Sequence, residues 1–277
     1  MEGQRPSPEE VRCALEAPPG AAFSLAGVST RDGAFFPTKK HALASLADDT
    51  LMIDRLQDRL YAEGRRSLLI VLQGMDCAGK SGTIKTVFGS TSPLGMEVKA
   101  FKAPSANELA RDYLWRVHAA IPQRGHIGIF DRSHYEDVLV PRVRGLAPSD
   151  VLEARYDQIN AFEKHLDENG VTILKCMLHV SREEQGKRLR ERLERPHKRW
   201  KFNPTDIEDR QHWDAFMQAY ETAIDRCSTA HAPWYVVPAD SKARRNALTA
   251  RLVRAVLERM DPQHPDPGYR PGDFAID

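Results

Sequence analysis

At 277 residues, with 41% apolar and 29% charged side chains, the chain has a globular composition and the length for one large core with appendages. A formal net charge of +1 means that any highly anionic partner must be met by a local cluster. No run approaches the roughly 18 apolar residues of a membrane span, MEGQRPSPEE lacks a secretory core, and the scattered Cys13, Cys77, Cys176 and Cys227 suggest a reducing cytoplasm and no metal cluster.

Residues 1–34, rich in Pro, Ala and Gly and without a sustained period, read as an extended or partly helical arm. From Thr38 to Gly64, Leu46, Ile53, Leu56 and Leu60 recur at near-helical spacing, which predicts an amphipathic helix beside the first strand. Lys39, Lys40 and His41 before it read as a solvated cluster. Leu68 to Leu72 is a continuous apolar run, the pattern of a strand buried on both faces. It feeds into Gly74-Met75-Asp76-Cys77-Ala78-Gly79-Lys80-Ser81, a complete match to the phosphate-binding loop. There the glycines let successive amides of Ala78, Gly79, Lys80, Ser81 and Gly82 turn toward phosphate oxygens, Lys80 adds a point charge, and the Ser81 hydroxyl can serve a magnesium ion. A helix from Gly79 to about Gly89 aims its positive end at the same spot.

Glu97–Phe101 reads as a second strand, residues 107–119 as a helix, and His126–Phe130 as a third strand ending at Asp131. Pro148 opens a helix to about Asn169, stopped by Gly170. Val171–Val180 and Trp234–Pro238 complete five strands, and a helix carrying Leu248, Leu252, Val256 and Leu257 follows the last. The tail from Asp261 reads as irregular. Strands alternating with helices predict an α/β fold with a mainly parallel sheet covered on both faces. Ligands of such sheets sit at the carboxyl ends of the strands, so Gly74 and Asp131 share one crevice.

Three constellations carry chemistry. Asp76 lies inside a phosphate cradle, where a carboxylate is tolerated if a metal or proton intervenes, so it reads as a magnesium ligand or as orienting the attacking phosphate oxygen. In FDRSHYEDVLVPRVRG, Asp131 stands where a second metal carboxylate is placed, Arg132 can fork two phosphate oxygens, and Glu136 lies about a turn further on. Asp137 and Arg144 read as helix-end charges. In the third element, Arg182 to Lys201 holds nine Lys/Arg against four Glu. Arg188, Arg192 and Arg195 share one helical face with Leu189 and Leu193 in an adjacent inward stripe. Pro196 breaks the helix, and a return helix bears Trp213, Phe216, Met217, Tyr220 and Ile224. This predicts a lid, about residues 182–208, over a phosphate site and suited to an elongated polyanion. No aromatic stacking series or nucleic-acid module argues for RNA or DNA.

GMDCAGKSG, Phe130-Asp131-Arg132-Ser133-His134-Tyr135-Glu136, EEQGKRLRERLERPHKRWKFNPTD and Ala232-Pro233-Trp234-Tyr235 resemble, in order, the motifs of the polyphosphate kinase 2 family. The resemblance covers about residues 35–260 and implies a three-layer α/β/α P-loop kinase fold similar to thymidylate kinase with a helical lid. It also implies magnesium (manganese as an alternative), inorganic polyphosphate as phosphate donor, AMP and ADP as acceptors with ATP among the products, reversibility, and a homodimer or homotetramer. By that resemblance Asp76 and Lys80 belong to the catalytic loop, Asp131, Arg132 and Glu136 to the second motif, and Arg188 and Arg192 to the lid, with Lys201 a further phosphate contact. SHYEDVLVPRV is similar to members accepting both nucleoside mono- and diphosphates. The rival readings are an ATP-dependent nucleoside monophosphate kinase and a nucleotide-gated binding module.

Overall fold

The computed structural model describes residues 6–20, 22–31, 33–270 and 273–274; the rest of the arm and of the tail lies outside the described residues. The central strand β2 (Ser67–Gln73) is buried along its whole length, as its unbroken apolar run requires. It pairs in parallel with β4 (Ile127–Asp131) and β5 (Val171–His179), so that Leu72 stands level with Asp131 on one side and Cys176 on the other. Outside them lie β3 (Met96–Ala100) and β6 (Trp234–Pro238), both parallel.

The arm departs from the expectation of a loose extension. Residues Pro8–Leu15 form α1, opened by a capping box between Ser7 and Glu10, and Glu16–Ala17 form β1, which pairs antiparallel with β6. The sheet is therefore mixed, in the order β1-β6-β5-β2-β4-β3. Val11 of α1 is wholly buried, and that burial anchors the arm.

Helices cover both faces. On one, α2 (Lys39–Glu63) packs along α12 (Lys242–Met260), with α1 and α3 (Lys80–Val87) against the same helix. Thr38 caps the start of α2 and Gly64 closes it in the left-handed conformation. Between α2 and α12 the buried Asp49 accepts from Arg251 at 2.8 Å and from Arg254 at 3.2 Å. The other face carries α6 (Glu136–Arg144), α7 (Ser149–Glu168) and α11 (Trp213–Cys227). Residues 107–119 are two separate turns, α4 (Ala106–Leu109) and α5 (Trp115–His118). A continuous helix fails there because Asp112 turns its carboxylate onto the Leu114 N–H at 3.0 Å, an Asx turn that competes with the helical ladder.

One charge lies in the sheet itself. Lys175, in the middle of β5, is wholly buried; its ammonium donates to Glu163 of α7 at 2.5 Å, to the Tyr135 hydroxyl at 2.8 Å and to the Cys227 carbonyl at 2.7 Å. Tyr135 also donates to Glu163 at 2.9 Å, and the His134 ring lies 3.2 Å from the same carboxylate. Burial opposes the charge on Glu163, but Lys175 and His134 outweigh it and hold the carboxyl below its usual range. The cluster fixes the segment leading from β4 into α6. Lys175→Met should lower unfolding free energy by about 3–5 kcal/mol, because it strands the buried Glu163. Adding Glu163→Leu should recover part of that loss in a denaturant titration; two simply additive losses would mean the pair is not coupled.

Candidate active site

The carboxyl ends of β2 and β4 deliver the two loops of the site. Beyond β2 the chain turns through Gly74, at φ 140°, where a Cβ would stand 2.7 Å from the Leu178 carbonyl oxygen. Any side chain would push the loop off β5. Each loop also holds a non-glycine residue in left-handed φ, Cys77 at 66° in the first and Arg132 at 65° in the second. The turn at Arg132 sends its guanidinium back to Asp76, where it donates at 2.5 Å.

Asp76, Arg132 and Glu136 line one small cleft of about 70 Å³ with Gly74, Asp209 and Tyr220. The floor is the phosphate loop. The Gly74 N–H donates to the Tyr220 hydroxyl at 3.1 Å, and the Lys80 ammonium donates to the Gly74 carbonyl at 2.5 Å. Burial, then the Arg132 charge, lowers the Lys80 pKa. Burial opposes the charge on Asp76, yet Lys80 and Arg132 overcome it and depress its pKa. Glu136 goes the other way: burial raises it, only partly offset by Arg132 and Lys80, while one of its oxygens accepts from Gln73 at 3.2 Å. The Ser81 hydroxyl donates to Asp131 at 2.7 Å, which joins the end of the first loop to the end of β4.

After β5 the chain makes the basic excursion: α8 (Arg182–Glu194), the short α9 (Pro196–Arg199) and α10 (Thr205–Gln211) before α11. Arg188 and Arg192 do not share a free face. Arg188 is buried; its guanidinium donates to the carbonyls of Cys77 at 2.9 Å, Ala78 at 3.0 Å, Ala239 at 2.8 Å and Asp240 at 2.7 Å, and to Glu184 at 2.8 Å. This corrects its placement on a phosphate-facing surface: α8 packs over the loop, so the Arg188 side points inward and all its donors are spent on the protein. Leu193, expected inside, is 42% exposed. Arg192 is half-buried and donates to Asp206 at 3.0 Å. Lys201 lies exposed between α9 and α10, with its ammonium 5.0 Å from the Trp200 ring centre, and does not line the cleft.

Residues 38–265 match the sequence profile of the polyphosphate kinase 2 family. The chain belongs to that family. It is 48% identical over 250 residues to the AMP/ADP-polyphosphate phosphotransferase of Meiothermus ruber, covering 90% of this chain and 94% of the relative. To the ADP-polyphosphate phosphotransferase of Rhodopseudomonas palustris it is 37% identical, covering 89% and 90%. The crystal structure of polyphosphate kinase 2 from Arthrobacter aurescens superposes with a TM-score of 0.92 at 40% identity, covering 97% of this chain and 95% of that one. Like these relatives, the chain is a phosphotransferase, and the α/β architecture is that of the family.

Sequence reasoning within the family motifs missed the acids of α10. Arg182 to Lys201 looks one-signed only because counting stops before Asp206, Glu208 and Asp209. Asp206 takes Arg192, and Asp209 takes Arg144 at 2.6 Å. Asp137, meanwhile, pairs with Arg116 at 3.2 Å. Among the described residues no helix is long and apolar enough to cross a membrane.

Burial, and then neighbouring Asp76, lifts Asp206 from 3.8 to about 6. An acid whose folded pKa is raised is harder to ionise in the fold than in the unfolded chain. Its burial therefore subtracts stability as the pH rises through that window and nothing below it. Asp206→Asn should melt higher than wild type near neutral pH, with the difference vanishing as the pH falls toward 4. A lower melting temperature near neutrality would mean that the Arg192 pair outweighs the burial.

Proposed function

We propose that the enzyme transfers the terminal phosphate of inorganic polyphosphate to AMP and to ADP, reversibly, making ADP and ATP. The observation that carries the reading is the 48% identity to an AMP/ADP-polyphosphate phosphotransferase over 94% of that relative's length; the cleft supplies chemistry to match. Arg132 lines the cleft, Lys80 lies buried against the Gly74 carbonyl of its wall, and Arg192 of α8 is held by Asp206 of the neighbouring α10. Positioning and charge neutralisation of this kind are most of what phosphoryl transfer demands.

The transfer is in line and direct, with no phospho-enzyme. Cys77, the thiol of the loop, is pushed up to about 11 by burial and is a poor nucleophile. Among the described residues no histidine lines the cleft. Lys80 waits folded onto the Gly74 carbonyl and turns to phosphate when one enters. The ion pair with Asp76 holds the Arg132 fork in place, and the opposed charges keep Asp76 ionised at neutral pH.

A divalent cation, magnesium first and manganese as an alternative, fits beside the loop. The Ser81 hydroxyl and the Asp131 carboxylate already touch, and Asp76 and Glu136 add hard oxygen donors nearby. Among the described residues no three His, Cys, Asp or Glu side chains gather into a ready-made cage. A site of few protein oxygens, completed by water and substrate phosphates, suits magnesium. When bound, the ion neutralises phosphate charge. Residues 182–208 act as the lid.

Incubation with polyphosphate, magnesium and either AMP or ADP, followed by nucleotide separation, tests the reading. Phosphorylation that requires ATP in place of polyphosphate would favour an ATP-dependent monophosphate kinase, and binding without turnover a nucleotide-gated module. Lys80→Ala should lower kcat by about 100-fold or more, and a trapped phosphoprotein in intact-mass spectra would refute direct transfer. Glu136 lines the cleft where an acceptor phosphate would end, and a carboxylate there can recruit a cation that an amide cannot. Glu136→Asn should change the ratio of AMP to ADP phosphorylation about tenfold, the effect of about 1.4 kcal/mol in transition-state binding. Equal losses on both acceptors would place Glu136 in the general chemistry instead.

A further inference from the structure

Against the phosphate loop, and not among the residues that line the cleft, lies a second guanidinium that the reaction as described does not use. Arg245, in the first turns of α12, is 3% exposed. It donates to the Ala78 carbonyl at 3.0 Å and to the Asn246 side-chain oxygen at 2.8 and 3.1 Å, and among the described residues no carboxylate pairs with it. It lies so close under the loop that a Cβ at Gly79 would fall 1.9 Å from its Nη1. Arg188 reaches the same Ala78 oxygen from α8 at 3.0 Å. Two buried cations thus converge on one carbonyl, and only one of them has an acid partner.

The orientation matters. Ala78 C=O and Gly79 N–H belong to one trans peptide, whose two ends point in opposite directions. With both arginines on the oxygen, the Gly79 N–H is aimed away from them, and no acceptor among the described residues takes it. That is the direction in which a phosphate-loop amide meets its ligand.

We propose that Arg245, together with Arg188, is a positioning residue for the donor phosphates: it locks the Ala78–Gly79 peptide with its N–H toward the cleft and leaves a buried charge that is compensated only when a polyanion binds. The inference rests on the polyphosphate reading above. Burial, and then the nearby Arg188 charge, makes the Arg245 cation unusually easy to deprotonate, at about 9, yet it remains charged at neutral pH. A purely structural brace would not need that charge. The acceptors it serves have other donors: Ala78 keeps Arg188, and the Asn246 oxygen keeps the Thr83 hydroxyl at 3.3 Å.

The test compares wild type, Arg245→Met and Arg245→Lys by calorimetric titration with polyphosphate of defined length, and by thermal melting without it. Arg245→Met should melt at or above the wild-type temperature while its polyphosphate Kd rises at least about tenfold; Arg245→Lys should recover part of that affinity. Wild-type affinity in Arg245→Met, an earlier melt than wild type, or equal losses in Met and Lys variants would each overturn the proposal. Failure of wild type itself to bind polyphosphate would instead sink the functional reading on which it stands.

Discussion

Leu72 is held level with Asp131 by one parallel ladder and with Cys176 by another, and this double registration decides where every reactive group falls. A parallel strand between two parallel neighbours has all three carboxyl ends at one edge. The phosphate loop leaves β2 there, the Arg132 loop leaves β4, and the chain beyond β5 starts α8 after two intervening residues. A slip of one residue in either ladder would exchange the two buried faces of β2 and move Asp131 or Cys176 off the level of Leu72. The burial of Leu68 to Leu72 therefore protects the spacing between Asp76 and Arg132 as well as the core.

The loops add strain to this frame, and buried charges hold it. Left-handed Cys77 and Arg132 are conformations that a free chain would leave. Each is trapped from outside: the Cys77 carbonyl by Arg188, and Arg132 by its N–H bond to Leu72 O at 3.0 Å and its ion pair with Asp76. Behind them the Lys175–Glu163–Tyr135 cluster keeps the segment before α6 from sliding. An apolar core of equal volume would give comparable stability; the polar one also specifies how the motif is presented.

Much of this was legible from residue pattern. The buried strand, the phosphate loop, the capped helix from Thr38 to Gly64 and the strand ending at Asp131 each follow from local rules, because period, cap and turn agree at those places. What was not legible arises from contacts distant in sequence. Arg188 is placed by its meeting with Cys77 and Ala78, more than a hundred residues away, so helical periodicity alone put it on the wrong face. The arm becomes a strand because β6 offers a free edge, which no feature of Glu16 and Ala17 announces. The helix over 107–119 breaks at Asp112 through one side-chain hydrogen bond, below the resolution of a propensity count.

If a polyanion enters beside α10 as proposed, the acids of that helix make its entry an exchange. Arg192 is already bound to Asp206 and Arg144 to Asp209, so a phosphate that takes either arginine displaces a tethered carboxylate and not a mobile counterion. Tethered competitors do not dilute away. A lone phosphate, binding once, must repay the whole displacement, whereas successive units of one chain share it. If polyphosphate takes these arginines as proposed, a long chain would be favoured over a lone phosphate before any contact reads the chain's end. It also follows that apparent affinity should vary less with ionic strength than the number of arginines suggests, since few counterions are released. A salt dependence as steep as the arginine count would contradict that account.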